Sequence, residues 1–400
     1  MTKKTDTPAI RFKGFSDTWE QRKLTEFVEF FSGLTYTPND VQENGTLVLR
    51  SSNVSNGEVV DADNIYVNPQ VVNSENVKVG DIVVVVRNGS RSLIGKHAQI
   101  KAFMPNTVIG AFMTGIRSEC PEFTNALLNT SRFEEEIAMN MGATINQITG
   151  YMFSKMEFKV PCLDEQKKIG EYFEKLDNLI TLHQRKYEKL HNIKKSMLEK
   201  MFPKNGSNVP EIRFKGFTEA WEQRKLGDCF AERVESMPDG ELISVTINDG
   251  IKKFSELGRH DNSNDDKSKY KKVCIGDIAY NSMRMWQGAS GYSPYEGIVS
   301  PAYTVLSPNS GINSKCLAYQ FKLPEMIHTF QINSQGITSD NWNLKYPALS
   351  EIEIFVSRNE KEQAKIAEYF EWLDRLITLH QRELEKLQNI KKSMLEKMFV

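Results

Sequence analysis

A segment of 37 residues that occurs twice constrains the fold of this chain more than any other feature. Residues 166–202 return as residues 363–399, with 30 identical positions at a constant offset of 197. Neither copy contains proline, and apolar residues recur at alternating steps of four and three. This spacing is the heptad pattern of a helix that packs along a partner helix. The sequence therefore predicts two long helices, each roughly 55 Å in length at about 1.5 Å per residue.

The apolar seam of each predicted helix has to be removed from water. The seam residues that we expect at the helix–helix interface are Ile169, Phe173, Leu176, Ile180, His183 and Leu190 in the first copy, and Ile366, Phe370, Leu373, Ile377, His380 and Leu387 in the second. The simplest arrangement packs one copy against the other, although a coiled coil between two copies of the chain also buries both seams. His183 and His380 share one seam position, where a polar residue that sets the helix register is favoured over a metal-binding pair. We predict no metal site.

A second, shorter repeat precedes each helix by the length of a domain. IRFKGFSDTWEQRKL at 10–24 returns at 212–226, with 12 of 15 positions identical. Short repeat, variable region and long helix thus occur twice in the same order, which indicates a duplicated domain. Residues 204–211 form a linker rich in proline, glycine, serine and asparagine. The predicted parts are a first domain (1–163), a first long helix (164–203), the linker (204–211), a second domain (212–359) and a second long helix (360–400).

Charge and cysteine content exclude several classes of protein. The 400 residues carry a net charge of −1 and a sequence pI of about 6.6, which argues against a protein that holds nucleic acid by bulk positive charge. The five cysteines include no CxxC pair, so neither a zinc ribbon nor a redox motif is supported. The longest purely aliphatic run, 82–86, is too short to cross a bilayer, and the first residues lack the apolar core of a signal peptide. We therefore expect a cytoplasmic protein without a membrane segment.

Between the repeats, the pattern is mostly that of short strands. A Gly-Asp turn leads into an apolar run at 77–86 (VKVGDIVVVV) and again at 274–282 (CIGDIAYNS). Residues 100–118 predict strand, turn and strand, and residues 125–141 predict one helix that ends at Gly142. We predict an α+β fold in which each domain has a mixed β-sheet and small helices. The two domains share this pattern but carry different surface residues.

Catalytic motifs are missing from the sequence. GSRSLIGKH at 89–97 has five residues between its glycines and histidine after lysine, whereas a phosphate-binding loop needs four residues there and serine or threonine after lysine. The sequence also lacks GxSxG, HExxH and the Asn-Pro-Pro-Phe type of motif of adenine methyltransferases. We predict no catalytic residue.

Polar loops at corresponding places in the two domains are the best candidates for a binding surface. The candidate DNA-binding residues are Arg87, Asn88, Ser90, Arg91, Lys96, Thr144, Asn146 and Gln147 in the first domain, and Asn281, Arg284, Trp286, Gln287, Ser339 and Asn341 in the second. Arginine matches guanine edges and asparagine or glutamine matches adenine edges in the major groove, whereas lysine and serine suit phosphates. For any single residue, solvent exposure alone is the better explanation of its polarity. The grouping in both domains favours DNA binding.

Taken together, these features resemble the specificity subunit of a type I restriction–modification system over nearly the whole chain. The resemblance is carried by FKGFSDTWEQRKL and FKGFTEAWEQRKL, by GDIVVVVRNGS and NSMRMWQGASGYSPYEGIVSPAYTVL, and by the two repeated helices. It implies two target-recognition domains, each of which reads one half of an interrupted DNA site. It also implies that the two long helices are antiparallel and separate these domains, with an internal pseudo-two-fold repeat.

The resemblance also implies partners. They are double-stranded DNA, two methyltransferase subunits and restriction subunits, with S-adenosylmethionine, ATP and magnesium expected on those partners and no cofactor on this chain. The near-neutral pI departs from a self-sufficient DNA-binding protein, so we expect the partners to supply much of the phosphate contact. Two other classes stay open: a nuclease or methyltransferase that acts alone, and a protein–protein scaffold with paired helices and no direct DNA reading.

Overall fold

The chain forms two compact units. The computed structural model describes residues 7–141, 146–204, 206–247, 250–258, 260–261, 263–337 and 341–400. One unit comprises Met1–Gln184 together with Arg382–Val400, and the other comprises Arg185–Gln381. Each unit therefore contains one short repeat, one variable region and part of both long helical segments.

Short strands dominate the variable region of the first unit. They are β1 (Glu20–Lys23), β2 (Val28–Ser32), β3 (Val41–Gln42), β4 (Thr46–Leu49), β5 (Val54–Ser55), β6 (Glu58–Val59), β7 (Ile65–Val67), β8 (Ile82–Val85), β9 (His97–Gln99), β10 (Thr107–Ile109), β11 (Met113–Ser118) and β12 (Glu157–Val160). An antiparallel sheet has the order β2-β11-β8-β9, and a mixed sheet has the order β10-β4-β7-β3, in which β10 and β4 are parallel. Two further pairs are β1 with β12 and β5 with β6.

Among the residues that the structure describes, α-helices accompany these strands. They are α1 (Pro121–Leu128), α2 (Ser131–Asn140), α3 (Gly150–Phe153) and the 39-residue α4 (Leu163–Met201). The prediction of a single helix over residues 125–141 was wrong, because α1 ends at Leu128 and a new helix begins at Ser131. Thr130 causes this break, since its hydroxyl accepts a hydrogen bond from the backbone N–H of Phe133 at 3.3 Å and so caps α2.

The second unit repeats this plan with a different middle part. Its elements are β13 (Glu222–Lys225), α5 (Leu226–Cys229), β14 (Phe230–Glu232), β15 (Ile243–Thr246), β16 (Gly250–Lys253), β17 (Lys271–Val273), β18 (Ile278–Asn281), β19 (Ser290–Tyr292), β20 (Gly297–Val299), β21 (Tyr303–Pro308), α6 (Ser314–Gln320), α7 (Pro324–Ile332), α8 (Tyr346–Ser350), β22 (Glu353–Val356) and the 39-residue α9 (Glu360–Met398). The sheet β14-β21-β18-β19 matches β2-β11-β8-β9, and the pair β13-β22 matches β1-β12. The separate pairs β15-β16 and β17-β20 occupy the region where the first unit has its mixed sheet.

The Gly-Asp turns enter the central strands β8 and β18 in the same way. Gly80 and Gly276 have φ of +94° and +98°, a backbone conformation that favours glycine. The following Asp81 and Asp277 are buried, and each carboxylate accepts a backbone N–H at 2.8 Å. An arginine neutralises each carboxylate with two hydrogen bonds: Arg117 bonds Asp81 at 2.8 and 2.9 Å. In the second unit, Arg233 from the segment after β14 donates two hydrogen bonds to the carboxylate of Asp277, at 2.7 and 3.1 Å.

The short repeats tie each unit to the long helices. Arg11 forms two 2.7 Å hydrogen bonds with the fully buried carboxylate of Glu165 in the first turn of α4. Arg213 makes the equivalent pair with Glu362 of α9, at 2.5 and 2.8 Å. Bidentate arginine–carboxylate pairs combine charge with fixed geometry. The repeated sequence therefore encodes a repeated attachment.

Trp19 and Trp221, near the ends of the two short repeats, each pack against the end of a long helix. Trp19 meets Phe399 edge-on at 6.0 Å, and Trp221 meets Phe202 edge-on at 5.9 Å. Phe399 also stacks on Phe123 at 5.6 Å. The last residues of each long helical segment thus complete the core of a unit.

The seam residues of the long helices fall into two groups. Ile169, Phe173 and Leu176 belong to the core of the first unit, and Ile366, Phe370 and Leu373 belong to the core of the second. Ile377 is buried as well, while the half-buried seam residues are Ile180, His183, Leu190, His380 and Leu387.

The two helices run antiparallel within each unit. In the first unit, Asp177 of α4 pairs with Lys391 of α9 at 2.7 Å, and Phe173 lies 5.9 Å from Phe399. In the second unit, Lys194 of α4 pairs with Asp374 of α9 at 2.5 Å. The predicted α+β class, with two sheet-containing domains and two long antiparallel helices, is confirmed.

Candidate nucleic-acid interface

In the first unit, the loop after β8 lies beside the segment that precedes α3. The backbone N–H of Ile148 donates to the carbonyl of Val86 at 2.8 Å, and Arg87 and Gln147 form an antiparallel bridge. Asn146 follows the same path, because its side-chain amide donates to the carbonyl of Gly89 at 3.0 Å. Candidate residues that are about 60 positions apart in sequence are therefore brought together at one edge of the β2-β11-β8-β9 sheet.

Asn88 serves the shape of this loop. Its Oδ1 accepts the backbone N–H of Ser90 at 3.0 Å, which is a local turn typical of asparagine. Its Nδ2 donates to Oγ of Ser51 at 3.1 Å. Both polar atoms of the side chain are thus engaged within the protein.

The remaining candidates in this loop differ in exposure. Ser90 and Arg91 are exposed, and Ser90 Oγ lies 2.9 Å from Ser92 Oγ. Arg91 begins a short 3₁₀ turn, and Lys96 is half-buried where the chain returns towards β9. The exposed Arg87 and Arg91 are best placed to reach a ligand outside the protein.

Phe112, which was not among the sequence candidates, belongs to the same edge. Its carbonyl accepts the backbone N–H groups of Val86 and Arg87 at 3.0 and 3.2 Å. Phe112 is 56% exposed, and the guanidinium of Arg87 lies over its ring at 5.0 Å from the ring centroid. Such a contact favours a cation over the ring face and restricts the orientation of the arginine. The sequence feature that could have indicated Phe112 is a large aromatic residue in the turn before β11.

The second unit builds the equivalent edge from different side chains. The backbone N–H of Leu344 donates to the carbonyl of Ser282 at 2.8 Å, the same link that joins Ile148 to Val86. Trp286 packs edge-on against Trp342 at 5.3 Å, next to Asn341. Its Nε1 also donates to the carbonyl of Met283 at 3.1 Å. The loop after β18 and the segment before α8 are therefore held together by an aromatic pair.

The other candidates of this loop are Asn281, Arg284 and Gln287. Arg284 and Asn341 are exposed, whereas Asn281 and Gln287 are half-buried. Asn281 Oδ1 accepts the backbone N–H of Met283 at 3.0 Å. Burial raises the pKa of Tyr303, whose hydroxyl bonds Asn281, so this phenol stays protonated at neutral pH.

Ala302 holds the position in the second unit that Phe112 holds in the first. Its carbonyl accepts the backbone N–H of Ser282 at 3.4 Å, as Phe112 accepts that of Val86. The two edges thus share a backbone framework and differ in the side chains that they present. Two predicted members, Thr144 and Ser339, lie outside the described residues.

The chemistry of both edges is that of hydrogen bonding. Arginine supplies donors, and amides supply donors and acceptors. Within the described part of the chain, no group of three or more histidine, cysteine, aspartate or glutamate residues is arranged to hold a metal ion. Over the same residues, no helix is both long and apolar enough to cross a membrane.

A duplicated α+β unit, with polar loops at the same edge of each antiparallel sheet, defines a tandem recognition protein. A family profile described as the type I restriction modification DNA specificity domain matches the chain twice, over residues 16–192 and 218–389. The chain belongs to this family of DNA specificity proteins.

Individual relatives agree with this family. The chain is 27% identical over 172 residues to the type I restriction enzyme StySPI specificity subunit of Salmonella potsdam, covering 40% of this chain and 36% of that protein. It is 27% identical over 193 residues to the MjaVIII specificity subunit of Methanocaldococcus jannaschii, covering 46% and 45%. The matches thus span less than half the length of these relatives. The crystal structure of a type I restriction–modification S subunit from M. genitalium has the same fold, with a TM-score of 0.66 at 14% identity over 98% of this chain and 99% of that one.

Proposed function

We propose that this chain is the DNA-recognition subunit of a type I restriction–modification complex and that each unit reads one half of a bipartite target. The observation that carries the proposal is the pair of equivalent edges at the loops after β8 and β18. The same backbone links, from Ile148 to Val86 and from Leu344 to Ser282, frame both edges. A shared frame with different side chains is what two different half-sites require.

The polar side chains of the two edges suit direct reading of bases. In the first unit, Arg87 and Gln147 lie on adjacent backbone segments, so a guanine edge and an adenine edge can be read from neighbouring positions. In the second unit, Arg284 and Asn341 offer the same two chemistries. Each good bidentate contact contributes about 1–3 kcal/mol of discrimination against the wrong base.

Because the chain is nearly neutral, partner subunits would provide much of the affinity for DNA. A net charge of −1 over 400 residues supplies little of the electrostatic term that holds proteins on DNA. Methyltransferase subunits would supply phosphate contacts and carry S-adenosylmethionine, while restriction subunits would carry ATP and magnesium. This chain would select the site without catalysing a reaction.

The long helices offer matched surfaces for two methyltransferase subunits. Leu182 of α4 and Leu379 of α9 occupy equivalent positions and are 45% and 53% exposed. Replacing either with glutamate should remove one of two bound methyltransferase subunits, because exposed leucines of this kind contribute to interfaces by apolar burial. Lys168→Glu, an exposed change on α4, is the control, and mass measurement of the complex gives the stoichiometry.

A gel-shift series with and without a methyltransferase partner tests the proposal. We expect weak binding to random duplexes by the chain alone and tight binding to a subset of sequences by the complex. Absence of any DNA binding by the complex would favour a protein–protein scaffold. Methyl transfer or cleavage by the isolated chain would instead identify an enzyme.

A further inference from the structure

The two recognition loops, residues 87–95 and 283–288, end at equivalent glycines. Gly95 and Gly288 have φ of +85° and +82°. A Cβ atom at Gly95 would lie 3.3 Å from Ile137 of α2, and one at Gly288 would lie 3.2 Å from Ile327 of α7. The end of each loop therefore lies close against the helical layer behind it.

In the second unit, a half-buried lysine holds this end of the loop. Lys322, between α6 and α7, donates from Nζ to the carbonyls of Gly288 at 2.7 Å, Ser290 at 2.8 Å and Ile247 at 3.2 Å. An ammonium group has three N–H donors, and all three find a carbonyl. Lys322 thus joins the end of the loop, strand β19 and the end of β15.

Charge around Lys322 is sparse. Burial, and then the positive charge of Lys194, lower the pKa of Lys322 to about 8. Lys194 itself pairs with Asp374, which also accepts the hydroxyl of Tyr319 at 2.8 Å. At neutral pH the amine is mostly protonated, and above pH 8 it loses one of its three donors.

In the first unit, different residues hold the glycine end of the loop. Asn129 is equivalent to Lys322, because each directly precedes the N-cap residue of the next helix, α2 or α7. Its Nδ2 lies 3.1 Å from Nε2 of His97, and Nδ1 of His97 lies 2.9 Å from the carbonyl of Gly95. His97 and Ser290 are equivalent, because they pair with Val84 and Tyr280 at the same place in the two sheets.

The hydrogen bonds define the protonation of His97. Nδ1 donates to Gly95 and Nε2 accepts from Asn129, which requires the neutral ring. Burial is the main cause of the lowered pKa of His97, and the hydrogen bond with the Gly95 carbonyl opposes it. Lys391 lowers this pKa further, and Asp177 raises it. We call the His97–Asn129 pair the first clamp, and Lys322 with its three carbonyl partners the second clamp. The first clamp therefore keeps the same protonation state from neutral to alkaline pH.

We propose that Lys322 and the His97–Asn129 pair are positioning residues for sequence specificity, each fixing the glycine end of the recognition loop in its own unit. This inference rests on the proposed function of the two loops. Arg284 and Gln287 lie on the loop that Lys322 holds, and Arg87 and Arg91 lie on the loop that His97 holds. Because the two clamps are separate, each half-site has its own determinant behind the reading surface.

Lys322→Met in the complex with its methyltransferase tests the second clamp. The readout is the ratio of methylation rates on a cognate duplex and on duplexes altered in one half-site. We expect the ratio for the second half-site to fall roughly tenfold, equivalent to one base contact, and that for the first half-site to stay unchanged. Lys322→Arg, which keeps donors at this place, should restore part of the ratio. Lys315→Met is the control, because Lys315 lies on the preceding helix α6 and pairs with Glu371.

Asn129→Ala is the reciprocal test in the first unit. It should lower discrimination at the first half-site only. Asn140→Ala is the matched control. Asn129 donates to the helix carbonyl of Asn125 at 2.7 Å, and Asn140 likewise donates to that of Glu136 at 2.9 Å, away from the loop. Loss at both half-sites with either variant would overturn the inference.

The pH dependence of the wild-type complex tests the inference without any substitution. Between pH 7 and 9.5, discrimination at the second half-site should decline as Lys322 loses its proton, while discrimination at the first half-site should not. A parallel decline at both half-sites, or no decline, contradicts the inference. If the wild-type complex shows no preference at either half-site, the proposed function fails; if it discriminates and Lys322→Met discriminates equally well, only the inference fails.

Discussion

At the scale of single residues, Phe112 and Ala302 occupy equivalent positions in the two proposed reading surfaces. Phe112→Ala removes the ring that lies 5.0 Å from the guanidinium of Arg87. We expect it to weaken recognition of the first half-site by about 0.5–1 kcal/mol, the range of an exposed cation–π contact. Competition gel shifts with half-site variants of the cognate duplex measure this loss. Ala302→Phe at the equivalent position should alter the second half-site alone, and equal losses at both halves from either change would contradict the assignment.

Arg11 and Glu165 form a pair whose removal should be costly for stability. Arg11→Met leaves the fully buried carboxylate of Glu165 without its partner, so we expect the free energy of unfolding to fall by about 3–5 kcal/mol. Arg22→Met is the control, because the Arg22–Glu26 pair is exposed and such pairs contribute about 0–1 kcal/mol. Urea unfolding of both variants decides the point. A loss below about 1 kcal/mol for Arg11→Met would mean that the short repeat does not anchor the helix.

At the scale of elements, the phenylalanine that follows each long helix completes a core. Phe399 contacts Trp19, Phe123 and Phe173, and Phe202 contacts Trp221 and Phe370. Truncation of a buried phenylalanine to alanine costs about 3–5 kcal/mol.

Phe399→Ala should therefore loosen the first unit, and Phe202→Ala should loosen the second. Hydrogen exchange followed by mass spectrometry locates the effect, with Leu379→Ala as an exposed control. Faster exchange throughout both units from either change would show that the cores are not separate.

Elements with a strong local signal were predictable from the sequence. The heptad spacing and the absence of proline fixed α4 and α9 to within a few residues, and the Gly-Asp turns located β8 and β18. The break between α1 and α2 was missed, because residues 125–141 were predicted as one helix whereas Thr130 caps a new helix within them.

The supports of the candidate site were much less predictable. Lys322 meets carbonyls 32, 34 and 75 positions away, and Asn129 meets His97 at a separation of 32. Such partners are set by tertiary packing and leave no local pattern. The sequence could therefore suggest which loops read DNA, but not what holds those loops in place.

For the whole molecule, the length of the long helices should set the gap between half-sites. Insertion of four residues after Glu188 adds about one turn to α4, roughly 6 Å. Since B-DNA rises about 3.4 Å per base pair, we expect the same two half-sites with a spacer longer by one or two base pairs. The seam near Leu190 and Ile193 has to form again, so some stability should be lost. Methylation-site mapping of the insertion variant is the test. An unchanged spacer at full activity would assign the spacing to the predicted linker between the first long helix and the second domain, and not to the helices.

The central claim is that the two units read different halves of one target. Methylome sequencing of a host that carries the wild-type chain, Arg87→Ala or Arg284→Ala, each with its methyltransferase partner, tests this claim most directly. We predict a bipartite motif with a fixed gap for the wild type, relaxation of one half for Arg87→Ala and relaxation of the other half for Arg284→Ala. A contiguous motif, or two variants that change the same half or weaken every site equally, would contradict the claim.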